Sequence, residues 1–202
     1  YCLNHNLGDH ALGLGVKGLL RRHLDIDLIA ETNLQGTVFD ESYIQGVINR
    51  KFDLLVIGGG GIIHGAHWPN GWFWLIEESL LEALQIPFVI YAAGYNYFSD
   101  EIGIPDVGKS HLKRTFEQAA YFSVRNDGSA DRLFEQIGIE VPTIPDPGFH
   151  LGDLGEDAEV PSEPFVLVQV ANDKPNHRFG DRRSAERFVS EMRVVVRDLA
   201  KR

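Results

Sequence analysis

The sequence predicts an α/β protein built on a doubly wound, Rossmann-like parallel sheet. Short apolar runs without polar interruption alternate with stretches of helical periodicity, as strands buried on both faces alternate with helices. The links between them are short, and two of the apolar runs end on glycine, the pattern of a strand opening into a loop at its carboxyl edge. A hydrophobic fraction of 44% supplies the core such a sheet needs.

Taken in order, Tyr1-Cys2-Leu3 reads as the tail of a strand that starts upstream, or as an N-terminus that pairs only briefly. Asp9 or Asn6 can cap the next helix, with Gly8 supplying the turn. That helix is expected from His10 to about His23, with Leu12, Val16, Leu19 and Leu20 at helical spacing and Lys17, Arg21 and Arg22 toward its basic end. Asp27–Ala30 is a short strand candidate. Ser42–Arg50 is a helix, its inward residues expected to be Tyr43, Val47 and Ile44. Phe52 to Ile57 then runs into four consecutive glycines, Gly58, Gly59, Gly60 and Gly61. The aromatic segment Trp68–Trp74 leads into a helix reaching about Gln85. Pro87–Gly94 is another strand, and the loop from Tyr95 to about Asp106 is long enough to be functional. A helix over Gly108–Ala119, a strand over Tyr121–Val124, a helix through Gln136 and a short strand over Val141–Ile144 complete the series. Pro145-Asp146-Pro147-Gly148 stops it.

Periodicity is then lost. Gly152–Pro164 carries Asp153, Glu156, Asp157, Glu159 and Glu163 among prolines, and reads as an acidic linker over residues 152–164. Phe165–Val170 is a fresh strand, and an Arg-rich helix spans about Ser184–Ala200. One βα unit cannot bury its own apolar face. Residues 165–202 therefore read as the start of a second, truncated α/β domain after a first domain over residues 1–151; the rival reading docks this unit on the first sheet.

Composition narrows the function. The lone Cys2 rules out a disulfide framework and disfavours a cysteine-ligated metal, as expected in a reducing, cytoplasmic setting. No apolar run reaches the roughly 18 residues of a bilayer span, and no signal peptide is legible. A formal net charge of −10 argues against non-specific nucleic-acid binding. An anionic substrate must then be held by particular cations against the overall field.

Arg125 is the sharpest candidate. It directly follows a buried strand, at the edge where the glycine run emerges, and a guanidinium there can grip a carboxylate or phosphate in a bidentate fork. Ser129 and the helix start behind it add hydroxyl and N–H donors for the same anion. The structural alternative pairs Arg125 with Asp127 or Asp146 to hold loops together. The glycines let backbone N–H groups approach a ligand and take positive φ, or they pack a tight turn against a neighbour. Asp9 divides between a cap and a substrate contact. His64 and His67 lack a third ligand, so no metal is expected. Gly58–Ile63 lacks the third small residue of a dinucleotide fingerprint, and no acidic residue closes the following strand, so no nicotinamide cofactor is expected. Trp68, Trp72, Phe73 and Trp74 could stack on a sugar, with the core as the preferred place. His177-Arg178 could face a cleft. No nucleophile elbow, Walker loop or Cys-His pair is present.

Asn6-Leu7-Gly8-Asp9, Phe52-Asp53 through Gly58–Gly61, Phe122-Ser123-Val124-Arg125 with Ser129, and Asp146-Pro147, in that order and spacing, resemble the polysaccharide pyruvyl transferase family over residues 1 to about 151. The family usually has Arg-Asp ahead of the serine; Asn126 stands in that Asp place here. The resemblance implies a two-domain fold like that of GT-B glycosyltransferases, with the site in the cleft. It implies transfer of the pyruvyl unit of phosphoenolpyruvate to two hydroxyls of a cell-surface glycan or its precursor, giving a cyclic ketal and phosphate. It places Arg125 and Ser129 on the donor, with Asn6, Gly8, Asp9 and Gly58–Gly61 shaping the cleft floor. The catalytic histidine and a further arginine are expected in the second domain, past Arg202. The alternatives are a GT-B enzyme using a nucleotide sugar and a non-catalytic sugar- or anion-binding module.

Overall fold

A computed structural model of the chain describes residues 7–65, 68–96, 103–153, 162, 165 and 181–201. The chain divides into two compact units, Tyr1–Asn96 with Ile102–Gly155, and Tyr97–Glu101 with Glu156–Arg202.

The first unit is a parallel sheet with flanking helices, α/β and Rossmann-like. Its strands are β1 (Leu55–Gly58), β2 (Gly61–Ile63), β3 (Phe88–Tyr95), β4 (Tyr121–Arg125) and β5 (Thr143–Ile144), in the order β1-β3-β4-β5, with β2 also on β3. Every pairing between these strands is parallel, and β2 also makes an isolated antiparallel bridge from Ile63 to Trp72. β3 has neighbours along both edges and six of its eight residues are buried, which explains its near-continuous apolar sequence. The core extends from Ile57, Ile90 and Val124 to an aromatic layer in which Trp72 meets Trp74 at 5.5 Å and Trp74 meets Phe88 at 5.6 Å, ring centre to ring centre.

The helices mostly follow their predicted spans. α1 (Leu7–His23) starts earlier than expected, so Gly8 and Asp9 lie within its first turn rather than in a turn and at a cap. An acidic residue in that position still meets the positive end of the helix dipole. Asp40 caps the next helical run, its carboxylate accepting the Tyr43 N–H at 2.7 Å. That run comprises α2 (Glu41–Tyr43), a π-helical stretch Ile44–Ile48 and α3 (Asn49–Lys51). Ile44 and Ile48 carry its burial, while Tyr43 and Val47 are half-buried. α5 (Asp106–Gln118) and α6 (Ser129–Ile137) match expectation; Ser129, Leu133 and Ile137, four apart, form the buried stripe of α6.

Two expectations fail. Asp27–Ala30 is not a strand: Leu28 is 71% exposed and the segment has no ladder partner, without which an extended run has nothing to pair its backbone. The helix expected to reach Gln85 shrinks to α4 (Glu78–Leu81), whose N-cap, Glu77, makes no side-chain capping bond.

The glycine run is also neither a loop nor a strand-to-helix turn. Gly58 ends β1, Gly59 and Gly60 turn a corner at φ of 75° and 82°, and Gly61 resumes extended pairing as β2. Across this corner the Gly59 N–H donates to Tyr91 O (2.9 Å) and the Gly94 N–H donates to Gly60 O (2.7 Å), so both halves stay on β3. β3 is irregular at the same level, where Ala92 sits at a φ of 51°.

After β5, a 3-10 helix (Pro147–Asp153) packs against α1. Of the second unit the described element is α7 (Arg182–Leu199), capped by Asp181, whose carboxylate accepts the Ser184 N–H at 2.9 Å and hydroxyl at 2.8 Å. Tyr1–Leu3, Asn6, His67, most of the acidic linker and of Phe165–Val170, and His177-Arg178 lie outside the described residues.

Candidate functional site

Parallel pairing sends the carboxyl ends of β2, β3 and β4 to one edge of the sheet, where open α/β sheets bind ligands. Arg125 is the last residue of β4 and Gly94 stands next to the end of β3. A Cβ at Gly94 would lie 2.5 Å from Arg125 Nε and 2.6 Å from Cζ, so the guanidinium rests against bare backbone that any other residue would cover. Its side chain is 21% exposed.

Three side chains surround it. Arg125 Nε donates to Asp127 Oδ2 at 2.5 Å, one terminal nitrogen donates to Asp146 Oδ2 at 3.4 Å, and the other donates to Asn96 Oδ1 at 3.4 Å. The ion pairs anticipated as the structural alternative are therefore present, with both carboxylates at once. Asn96 also joins the arginine to the glycine corner: its Nδ2 donates to Gly61 O at 3.2 Å, and the amide lies so close to Gly61 that a Cβ there would be 2.0 Å away. Arg125 and the glycine rim thus meet on one lip of the sheet.

Each glycine has its own surroundings. Gly59 and Gly60 are buried beneath α1, with Leu12 within 3.2 Å and 3.1 Å of where their Cβ atoms would stand. Gly58 is exposed and faces Val16, while Gly61 is half-buried beside Asn96. Leu12 also reaches Gly148, so the first turns of α1, carrying Gly8 and Asp9, approach Asp146-Pro147-Gly148 and the corner together.

Ser129 is fully buried. Its hydroxyl donates to Asp127 Oδ1 and accepts the Tyr95 N–H at 2.7 Å, and its own N–H donates to the same Asp127 oxygen at 3.1 Å. The hydroxyl is thus committed to tying the start of α6 to the end of β3. Burial pushes the Asp127 carboxyl up, but the bonds from Ser129 and the bond and charge of Arg125 outweigh it and hold the group below the ordinary carboxylate value. Arg132, one turn into α6, donates to Tyr95 O at 3.1 Å and fixes that strand end from the same side.

Beyond Gly61 the edge becomes aromatic. His64 stacks on Phe73 at 4.3 Å, with Trp68 edge-on to Phe73 at 4.8 Å. His64 Nε2 lies 2.7 Å from Gly61 O and 3.2 Å from Asn96 Nδ2, which brings the ring to the same corner. Trp72 and Trp74 lie fully in the core, the place favoured for this segment. Among the described residues no group of acidic, His or Cys side chains could hold a metal ion. A shallow hollow of about 280 Å3 lined by Leu81, Phe88 and Gln118 lies at the amino end of β3, away from this edge.

Sequence reasoning singled out Arg125 but missed Asn96 and Gly94. Both were in reach, because any polar or side-chain-free residue at the end of a predicted parallel strand is delivered to the ligand edge.

No curated protein and no solved structure matches the chain. A family model described as polysaccharide pyruvyl transferase matches residues 6–200 of the 202, through both units. With nearly every residue inside that match, the chain belongs to the polysaccharide pyruvyl transferase family.

Proposed function

We propose that this transferase moves the pyruvyl unit of phosphoenolpyruvate onto two hydroxyls of a sugar in a cell-surface glycan or its precursor, forming a cyclic ketal and releasing phosphate. The observation that carries the reading is a half-buried guanidinium at the carboxyl edge, seated on Gly94 and joined through Asn96 to the glycine rim. A compact polyanion in a chain of net charge −10 needs such a local cation.

The chemistry assigns the parts. A general acid protonates the methylene carbon of the donor, its double-bond electrons forming the new C–H bond and leaving C2 cationic. A sugar hydroxyl adds its oxygen to C2 and gives up its proton. Phosphate then leaves with the C2–O bonding pair, and the second hydroxyl closes the ring with loss of its own proton. Arg125 holds the donor against diffusion and balances its charge, Ser129 keeps the loop behind Arg125 in place, and Gly58–Gly61 with Asn6, Gly8 and Asp9 shape the floor. A cytoplasmic location suits the donor, a product of central metabolism, and no described helix is long and apolar enough to cross a membrane.

Calorimetric titration of the full-length protein with phosphoenolpyruvate, and separately with UDP- and GDP-sugars, tests the donor. Phosphoenolpyruvate is expected to bind, and Arg125→Ala to weaken it by about 100-fold or more, the scale of a lost bidentate charge-assisted contact. Binding of a nucleotide sugar alone would reassign the protein as a glycosyltransferase. Unchanged donor binding in Arg125→Ala would remove the basis of the assignment.

A further inference from the structure

Arg125 is flanked by two carboxylates that are held in different ways. Asp127 is anchored on both oxygens: Oδ1 accepts the Ser129 N–H at 3.1 Å and the Ser129 hydroxyl, and Oδ2 accepts Arg125 Nε at 2.5 Å. It sits in the turn between β4 and α6, two residues from the arginine it holds. Asp146 is held by fewer and longer contacts. Its Oδ1 accepts the Gly148 N–H at 2.8 Å and closes the turn into the 3-10 helix, whereas Oδ2 touches Arg125 at 3.4 Å, at the long limit of a hydrogen bond. The two contacts also fall on different nitrogens, Nε for Asp127 and a terminal nitrogen for Asp146.

The local charge makes this difference consequential. One guanidinium between two carboxylates sums to −1, so an incoming polyanion meets repulsion unless a carboxylate yields. Asp127 grips Nε at 2.5 Å, and two bonds from Ser129 to its Oδ1 keep the carboxylate in place. Asp146 can give up its Oδ2 contact while Oδ1 still caps Gly148.

We infer that the two carboxylates have separate jobs: Asp127 is a positioning residue that fixes the guanidinium through Nε, and Asp146 is a place-holder whose Oδ2 is exchanged for an oxygen of the anionic donor. The inference rests on the donor reading above. It explains how an arginine inside an acidic cluster still serves an anion: the terminal nitrogens face the donor, and the carboxylate beside them is held loosely enough to be replaced. Asp127 also supplies a carboxylate two places after the arginine in a chain where Asn126 occupies the place directly after it.

The two isosteric variants separate the jobs by the sign of their effects. Asp146→Asn keeps an oxygen for the Gly148 N–H and removes the competing charge, so phosphoenolpyruvate is expected to bind about fivefold more tightly, with the gain shrinking in high salt. Asp127→Asn sets an amide against Arg125 Nε and is expected to weaken donor binding about tenfold, raising KM for phosphoenolpyruvate and leaving KM for the acceptor unchanged. Calorimetry with phosphoenolpyruvate and with inorganic phosphate, beside thermal melts, reads both. A merely structural Asp127 would lower the melting temperature and move both KM values together, which overturns its part. Equal or weaker donor binding by folded Asp146→Asn overturns the exchange alone. If the wild type ignores phosphoenolpyruvate altogether, the donor assignment falls and the exchange falls with it.

Discussion

Ser123 shows how much one buried hydroxyl can carry. Ala92 takes a left-handed φ of 51° at the level of the glycine corner, which costs a non-glycine residue about 1–2 kcal/mol. There β3 slips its register with β4, and the Ala92 N–H donates instead to Ser123 Oγ at 3.1 Å, both residues being fully buried. Ser123→Ala should leave that N–H without an acceptor and destabilise the fold by about 1–3 kcal/mol, measured by chemical denaturation. A variant as stable as wild type would mean that the bulge finds another acceptor. At this scale the sequence was a partial guide. A basic residue closing an apolar strand marks itself, so Arg125 could be read directly. Ser123 could not, because a serine inside an apolar run gives no sign that the strand opposite it will bulge. Ser129 is a further case: a hydroxyl at the start of a helix suggests an anion site, and only coordinates reveal that Asp127 and the Tyr95 N–H have already taken it.

Among elements, α1 rests directly on the 3-10 helix. A Cβ on Gly15 would lie 1.9 Å from Pro147 O and 2.7 Å from its carbonyl carbon, whereas one on Gly13 would meet nothing within 4 Å. The obstacle at Gly15 is backbone, which cannot swing aside. Gly15→Ala should therefore cost about 3 kcal/mol, the upper end of overpacking, while Gly13→Ala in the same helix should stabilise by up to about 1 kcal/mol through helix propensity. Thermal melts of the pair decide it; two changes of the same sign would show that α1 does not rest on this carbonyl. The helical spacing of Leu12, Val16, Leu19 and Leu20 identified α1, yet periodicity cannot say which of its glycines are contacts. The same limit applies to α4 and to Asp27–Ala30. Whether an apolar stretch becomes a helix or a strand depends on caps and ladder partners, which lie elsewhere in the chain.

For the molecule as a whole, one buried histidine and one partly exposed aspartate shape stability against pH. His111 is 3% exposed, its Nε2–H donating to Ile76 O at 2.8 Å and its Nδ1 accepting the Trp72 indole Nε1–H at 3.1 Å. Burial pushes its pKa below the ordinary value of about 6.5, against the bond to Ile76 and the nearby charge of Glu78. The unfolded chain therefore takes up a proton first as pH falls, and stability should decline from about pH 6.5 downward until the folded ring also titrates. Asp127 acts later. Its folded pKa is depressed, so its contribution is present above the unfolded value of about 3.9 and is lost as pH drops through the lower folded value. Urea denaturation from pH 8 to pH 3 should show a decline beginning near neutrality, and His111→Gln should flatten that first limb. A wild-type curve level from pH 7 to pH 5 would remove His111 from this account. The parallel α/β plan itself was legible, because strands buried on both faces write themselves as unbroken apolar runs.

Gly94 has a consequence for how this edge can vary over generations. Arg125 lies flat against β3 only because position 94 carries no side chain, so even a methyl group there would push the guanidinium away from Asn96 and Asp127. A neutral, uncharged change one strand away would thus relocate a positive charge without touching any ionic partner. The position of that charge is inherited through two codons, and the silent one tolerates less than its chemistry suggests.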